Sequence, residues 1–177
     1  MIHKYITVGG SGTRMKDISH VDKQNLYYYN KQIIEWILEI FPDAKIVGEN
    51  KTESRKETLK LIPIKDNVLI IDCDIIPFGI DLSKIDINSN CVYVFNSNKD
   101  KYGSIILKDN KIYKTSERDN ISNIKCSGIY FCKNLEKNIE EMEDNSIVSS
   151  MNGANVVFEN TFKRLGDIQD YYEAIGI

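Results

Sequence analysis

Apolar residues follow two rhythms along this chain. From Asn30 to Phe41 they recur every three or four positions, so that Ile33, Ile34, Ile37, Leu38 and Phe41 share one face of a helix. Asn30 is a residue type that accepts the free N–H groups at a helix start, and Pro42 cannot continue the helix. Thr52–Ile62 reads as a second helix, with Glu53 near its positive end and Pro63 closing it. Leu135–Met142 and Asp167–Ile175 read as two more, the last with Gly176 positioned to end it.

The second rhythm is that of short strands. Ile2–Val8, Ala44–Val47 and Val68–Asp72 are compact β-rich runs, and the last has no polar alternation, as in a central parallel strand covered on both faces. Cys91–Phe95, Ser104–Leu107, Lys111–Tyr113, Ile124–Cys132 and Val156–Phe158 follow, with Asp109-Asn110 placed as the turn of a hairpin. Up to Asp72 the order is therefore β-α-β-α-β. The predicted class is α/β: a Rossmann-like open mixed sheet between helices, three-layer α/β/α. No repeat, low-complexity tract or linker divides the 177 residues, which predicts one domain over 1–177.

A chain of this length buries roughly 70% of the surface its unfolded form exposes, enough for a core without crosslinks. The net charge of −3 argues against a nucleic-acid partner or an anionic membrane surface. No run reaches the roughly 20 apolar residues of a membrane span, and no signal pattern precedes Ile2, so the expected location is cytoplasmic. Cys73, Cys91, Cys126 and Cys132 form no CxxC pair and lie far from His3 and His20, which predicts buried free thiols rather than a zinc site. Arginine is confined to Arg14, Arg55, Arg118 and Arg164, so a phosphate-rich ligand must draw on locally gathered cations.

Gly9-Gly10-Ser11-Gly12-Thr13-Arg14-Met15 follows the first strand, at the end where open α/β sheets hold their ligands. Glycines let backbone N–H groups approach phosphate oxygens, and Arg14 adds a permanently charged planar fork. No Gly-Lys-Ser/Thr follows, so this is not a Walker A loop, and Met15 stands where a dinucleotide fingerprint has its last glycine.

The segment resembles the GGxGTRL/M signature of the sugar-1-phosphate nucleotidyltransferases, also called NDP-sugar pyrophosphorylases. The resemblance implies a GT-A-like nucleotidyltransferase fold. It implies that Gly9, Gly10, Ser11, Gly12 and Thr13 hold the NTP and that Arg14 contacts the leaving pyrophosphate. Lys23 matches the family lysine that stabilises the α-phosphate, although the prolines around it are missing. Thr58 falls in the region that lies near the base.

Asp72-Cys73-Asp74 closes the central strand, and Asp74 matches a family aspartate that binds Mg²⁺. Independently, a hard dication takes one or two carboxylates together with substrate phosphates. Leu165-Gly166-Asp167-Ile168-Gln169-Asp170-Tyr171 resembles the family's closing motif, and Asp167 matches its second metal-binding aspartate. For the acceptor, the resemblance implies Tyr102 and Gly103 as a Tyr-Gly pair. Glu117 falls on acceptor hydroxyls, Arg118 stands where the family has a phosphate-binding lysine, and Ser127 and Gly128 lie in a strand along the acceptor.

The implied reaction is Mg²⁺-dependent transfer of NMP from an NTP to a sugar 1-phosphate, releasing pyrophosphate, by a monomer or small homo-oligomer. Two alternatives share these residues. One is a cytidylyltransferase acting on a phosphorylated alcohol such as phosphocholine. The other is a glycosyltransferase using Asp72-Cys73-Asp74 as a DxD motif for a metal-bound NDP-sugar.

Overall fold

The computed structural model describes residues 1–8, 22–49, 52–117, 119–143 and 145–176. The first half carries β1 (His3–Thr7), β2 (Tyr27–Tyr28), β3 (Lys31–Gln32), α1 (Ile33–Ile40), β4 (Lys45–Val47), α2 (Arg55–Lys60), β5 (Asp66–Asp72) and β6 (Ile75–Ile76). The second half carries β7 (Cys91–Asn96), β8 (Ser104–Lys108), β9 (Lys111–Ser116), β10 (Ile124–Asn134), α3 (Leu135–Glu141), β11 (Asn155–Phe158), β12 (Lys163–Arg164) and α4 (Ile168–Ile175).

Eight strands form one sheet in the order β4-β1-β5-β10-β7-β11-β9-β8. The strands β4, β1 and β5 run parallel, and β10 runs antiparallel to both β5 and β7. The sheet is thus mixed, as expected. Successive side chains of β5 point to opposite faces. Val68 and Ile70 join a core under α2 and α3 that includes Leu59, Leu135 and Ile139. Leu69 and Ile71 join a second core that includes Ile33 and Ile37 of α1, with Ile168 and Tyr171 of α4 packed against it. This two-sided burial explains the unbroken apolar run of β5 and builds the three layers. Each fully buried leucine or isoleucine side chain contributes roughly 1.5–3 kcal/mol.

Several boundaries differ from the sequence expectation for local reasons. The helix expected from Asn30 begins at Ile33, because β2 and β3 pair as a small hairpin whose turn holds Tyr29 at φ 55°. Glu35 then accepts a hydrogen bond from the Gln32 N–H at 2.7 Å, in place of a cap by Asn30. The second helix starts at Arg55 because Ser54 accepts from the Glu57 N–H. The β8–β9 hairpin turns through Asp109 and Asn110, both at positive φ, the geometry of a tight right-twisted hairpin. Asp167 caps α4 and Gly176 ends it at φ 81°. Among the described residues, no helix is long and apolar enough to cross a membrane.

Candidate functional site

Parallel pairing of β1 and β5 brings Thr7 beside Asp72 at the carboxyl end of the sheet. The Thr7 hydroxyl donates to Asp72 Oδ1 at 3.3 Å, and the Cys73 N–H donates to the Thr7 carbonyl. The chain then turns through Asp74 into β6, which pairs with β12 through Ile75 and Arg164. The Leu165 N–H donates to the Asp74 carbonyl at 2.8 Å. That clasp lays Gly166 on the Asp74 side chain: a Cβ at Gly166 would stand 2.5 Å from Asp74 Oδ2.

Lys23, in a 3₁₀ turn over Lys23–Asn25, completes this corner. Its Nζ lies 3.3 Å from Asp74 Oδ2 and donates to the Gly166 carbonyl at 2.6 Å. Asp167 follows directly, accepting from the Asp170 N–H at 2.8 Å and holding the Lys101 ammonium 2.7 Å from Oδ2. Lys23 and Asp74, predicted from two distant segments, therefore meet at Gly166, and Asp167 is the next residue along the chain, its carboxylate held by Lys101.

Burial pushes the Asp74 carboxyl up, but Lys23, Arg164 and Arg55 outweigh it and hold Asp74 below the ordinary aspartate range. Asp72 goes the other way: burial, reinforced by Asp74, outweighs Arg55 and raises it. For Asp167 burial is again the largest effect, and it is overcome by the Asp170 N–H, Lys101 and Arg164, so its carboxyl is also lowered. Of the three acids, Asp74 and Asp167 are shifted down and Asp72 is shifted up.

Two arginines that sequence reasoning did not place frame the site. Arg55 Nη2 donates to Asp72 Oδ1 at 2.5 Å, and its guanidinium lies 5.5 Å from the Tyr130 ring centroid. Arg164 Nη1 donates to the carbonyls of Cys126 and Ser127, each at 3.2 Å, and its guanidinium lies 4.6 Å over Tyr102. Lys101 and Asp170 were missed as well. Asp170 is 5% exposed and receives the Tyr102 hydroxyl at 2.5 Å and the Lys101 ammonium at 2.8 Å. The spacing of Asp167 and Asp170 across a helix start was the one available hint.

The expected acceptor residues fall into two groups. Gly128 and Gly103 lie where backbone must pass close to a carboxylate. A Cβ on Gly128 would meet Asp72 Oδ2 at 3.0 Å, and one on Gly103 would meet Glu117 Oε2 at 3.2 Å. Glu117 accepts from the Ser146 hydroxyl at 2.5 Å and lines a cleft of about 290 Å³ with Tyr113, Ser149 and Asn152. Tyr102 and Ser127 are instead buried, the Ser127 hydroxyl accepting from the Ile129 N–H at 3.2 Å. Thr58 is also buried, its hydroxyl donating to the Ser54 carbonyl within α2. Gly9, Gly10, Ser11, Gly12, Thr13, Arg14 and Arg118 lie outside the described residues. Among the described residues, no cluster of three or more His, Cys, Asp or Glu side chains is arranged to hold a metal.

Neither a family model nor a curated protein matches the chain. Solved structures match it over nearly its full length. The nucleoside-diphosphate-sugar pyrophosphorylase from Vibrio cholerae RC9 superposes with a TM-score of 0.74 at 14% identity, covering 98% of this chain and 100% of its own. The CTP:phosphocholine cytidylyltransferase from Streptococcus pneumoniae gives 0.78 at 12% identity, covering 99% and 98%. The inositol-1-phosphate CTP transferase from T. maritima gives 0.68 at 12% identity, covering 99% and 95%. The mixed α/β fold of this chain is the fold of these nucleotidyltransferases.

Proposed function

We propose that the protein transfers a nucleoside monophosphate from an NTP to a phosphorylated small molecule, a sugar 1-phosphate in the first instance, with release of pyrophosphate. The observation that supports this reading is the meeting of Lys23 with Asp74 and Gly166 at the carboxyl end of β1 and β5, with Asp167 the next residue in the chain. The glycine-rich segment Gly9–Arg14 lies in sequence between β1 and Lys23.

In this reaction an oxygen of the acceptor phosphate attacks the α-phosphorus. The new P–O bond forms as the bond to the β-phosphate oxygen breaks, and pyrophosphate carries away the electron pair. The nucleophile is already anionic, so no side chain has to remove a proton. The obstacle is the approach of two polyanions. Lys23 meets the α-phosphate and Arg14 the β- and γ-phosphates, each supplying a fixed positive charge where negative charge shifts. At about 4 Å and an effective dielectric near 20, one such pair is worth roughly 4 kcal/mol before desolvation.

The donor set suits Mg²⁺. Asp74, against Gly166, and Asp167, the next residue in the chain, offer two hard carboxylates held below the ordinary aspartate range, and substrate phosphates would complete the shell. When bound there, the ion would neutralise phosphate charge and fix the geometry of the triphosphate. Glu117, against Gly103 and open to the neighbouring cleft, takes acceptor hydroxyls.

The glycosyltransferase alternative requires Asp72 and Asp74 to act together on a metal-bound NDP-sugar. Sugar 1-phosphates and phosphorylated alcohols are separated by experiment. Each NTP, with dTTP included, is incubated with a panel of both acceptor classes, and pyrophosphate is measured. Release that depends on one acceptor supports the reading and names the class. A parallel incubation with NDP-sugars that releases NDP, while no NTP yields pyrophosphate, would replace it with glycosyl transfer.

A further inference from the structure

Both proposed metal-binding acids already carry a cation supplied by the chain. The Lys23 ammonium lies on Asp74 Oδ2 at 3.3 Å and reaches across to the Gly166 carbonyl at 2.6 Å. The Lys101 ammonium lies 2.7 Å from Asp167 Oδ2 and 2.9 Å from Oδ1, with Asp170 Oδ1 at 2.8 Å. Neither lysine is locked inside the core, since their side chains are 18% and 25% exposed. Lys101 belongs to no part of the nucleotide loop or the acceptor set. Two residues further along the chain, Gly103 packs on Glu117.

A dication arriving alone would have to displace two ammonium groups into water or bind beside them. Lone metal is disfavoured on either count. A metal–NTP complex changes the balance, because its phosphates offer both ammonium groups new anionic partners as the carboxylates pass to the metal. We propose that Lys23 and Lys101 stand in for the metal's charge in the nucleotide-free protein, so that a divalent cation occupies Asp74 and Asp167 only together with a nucleotide. This rests on the reading of those two acids as metal ligands. It adds Lys101 to the functional residues and makes metal and nucleotide binding mutually dependent, each strengthening the other by the same factor.

The test reads metal occupancy rather than turnover. Mn²⁺, which accepts the same oxygen donors, is titrated into the protein, and free Mn²⁺ is followed by its electron paramagnetic resonance signal. The titration is run alone and with the α,β-methylene analogues of ATP, GTP, CTP, UTP and dTTP, each against the same analogue without protein, so that uptake by the protein is the difference between the two. Wild-type protein is expected to take up Mn²⁺ with at least one analogue and negligibly without. Lys101→Met and Lys23→Met are each expected to bind Mn²⁺ alone roughly tenfold more tightly than wild type, and Lys101→Arg to behave as wild type. If Lys101→Met does not fold, Lys23→Met carries the comparison. Wild-type protein that binds Mn²⁺ alone as tightly as the methionine variants, and loses it in Asp167→Asn, would overturn the stand-in role while leaving the metal site intact. No uptake by any form with any analogue would overturn the metal site itself and the inference with it.

Discussion

Gly166 and the carboxylate of Asp74 are in direct contact, with no room between them for a methyl group: a Cβ would stand 2.5 Å from Oδ2. Gly166 is not among the residues at positive φ, so alanine meets no backbone objection there. Gly166→Ala is therefore expected to keep the fold and push Asp74 aside. A displacement near 1 Å at a reacting centre can cost about 10²-fold. Pyrophosphate release should fall by about that factor, while the thermal midpoint moves little. A variant with wild-type turnover would mean that the position of Asp74 does not matter to the chemistry.

Asp167 has two separable duties, capping α4 and presenting a carboxylate. Asparagine caps almost as well as aspartate but carries no charge. Asp167→Asn should keep the cap, lose in urea unfolding only the stability the charge contributes, and lose about 10²-fold in turnover, the scale of one lost electrostatic stabiliser. Asp167→Ala should lose about 1 kcal/mol in addition. The carboxyl lies below its ordinary value of 3.8 in the folded protein, so folding favours the anion. The stability it contributes is complete above that value and disappears as the pH falls through the lower, folded one. The gap between wild type and Asp167→Ala should accordingly persist from pH 7 to about pH 5 and narrow below pH 4.

The pair Arg55–Asp72 is expected to matter more for the fold than for transfer. Arg55→Met leaves the Asp72 carboxylate, already raised by burial, with the Thr7 hydroxyl and no guanidinium. Stranding one partner of such a pair costs on the order of 3 kcal/mol. The double variant Arg55→Met, Asp72→Asn should recover most of that loss in urea unfolding. An additive loss would show that the two side chains do not act as a pair.

The thiols should be inert in the folded protein. Burial pushes Cys91 and Cys132 up to about 12, and Cys73 is raised by burial and then by the carboxylates of Asp74 and Asp72. At pH 8 a thiol-directed reagent should label native protein slowly and all four cysteines rapidly in urea. Fast native labelling of Cys73 would contradict the electrostatics assigned to the end of β5.

The repeating signals of the chain were legible in its sequence. The unbroken apolar run of β5, the Ile33–Ile37 face of α1 and the Asp109-Asn110 turn each encode one element locally. The start of α1 was not, because Asn30 lies beyond a hairpin whose pairing of Tyr27 with Gln32 leaves no mark on hydrophobic periodicity. Lys23, Asp74 and Asp167 could be singled out because each sits in a short motif. Arg55, Lys101 and Arg164 could not. They stand among 23 lysines and arginines, and only long-range packing brings them to carboxylates or carbonyls near the site. The burial of Tyr102, Ser127 and Thr58 was hidden for the same reason, since a hydroxyl reads alike in sequence whether it faces a ligand or its own backbone.

The most direct measurement of the central claim follows the α-phosphate itself. Each NTP is supplied with ³²P at the α position, together with the acceptor panel and Mg²⁺, to wild-type protein and to Asp74→Asn. The expected result is a labelled nucleotide–acceptor product and unlabelled pyrophosphate in equal amounts, formed at least 10²-fold more slowly by Asp74→Asn. Label that stays in the NTP or appears only in free NMP with every acceptor would contradict nucleotidyl transfer, and equal product from both proteins would contradict the site built around Asp74.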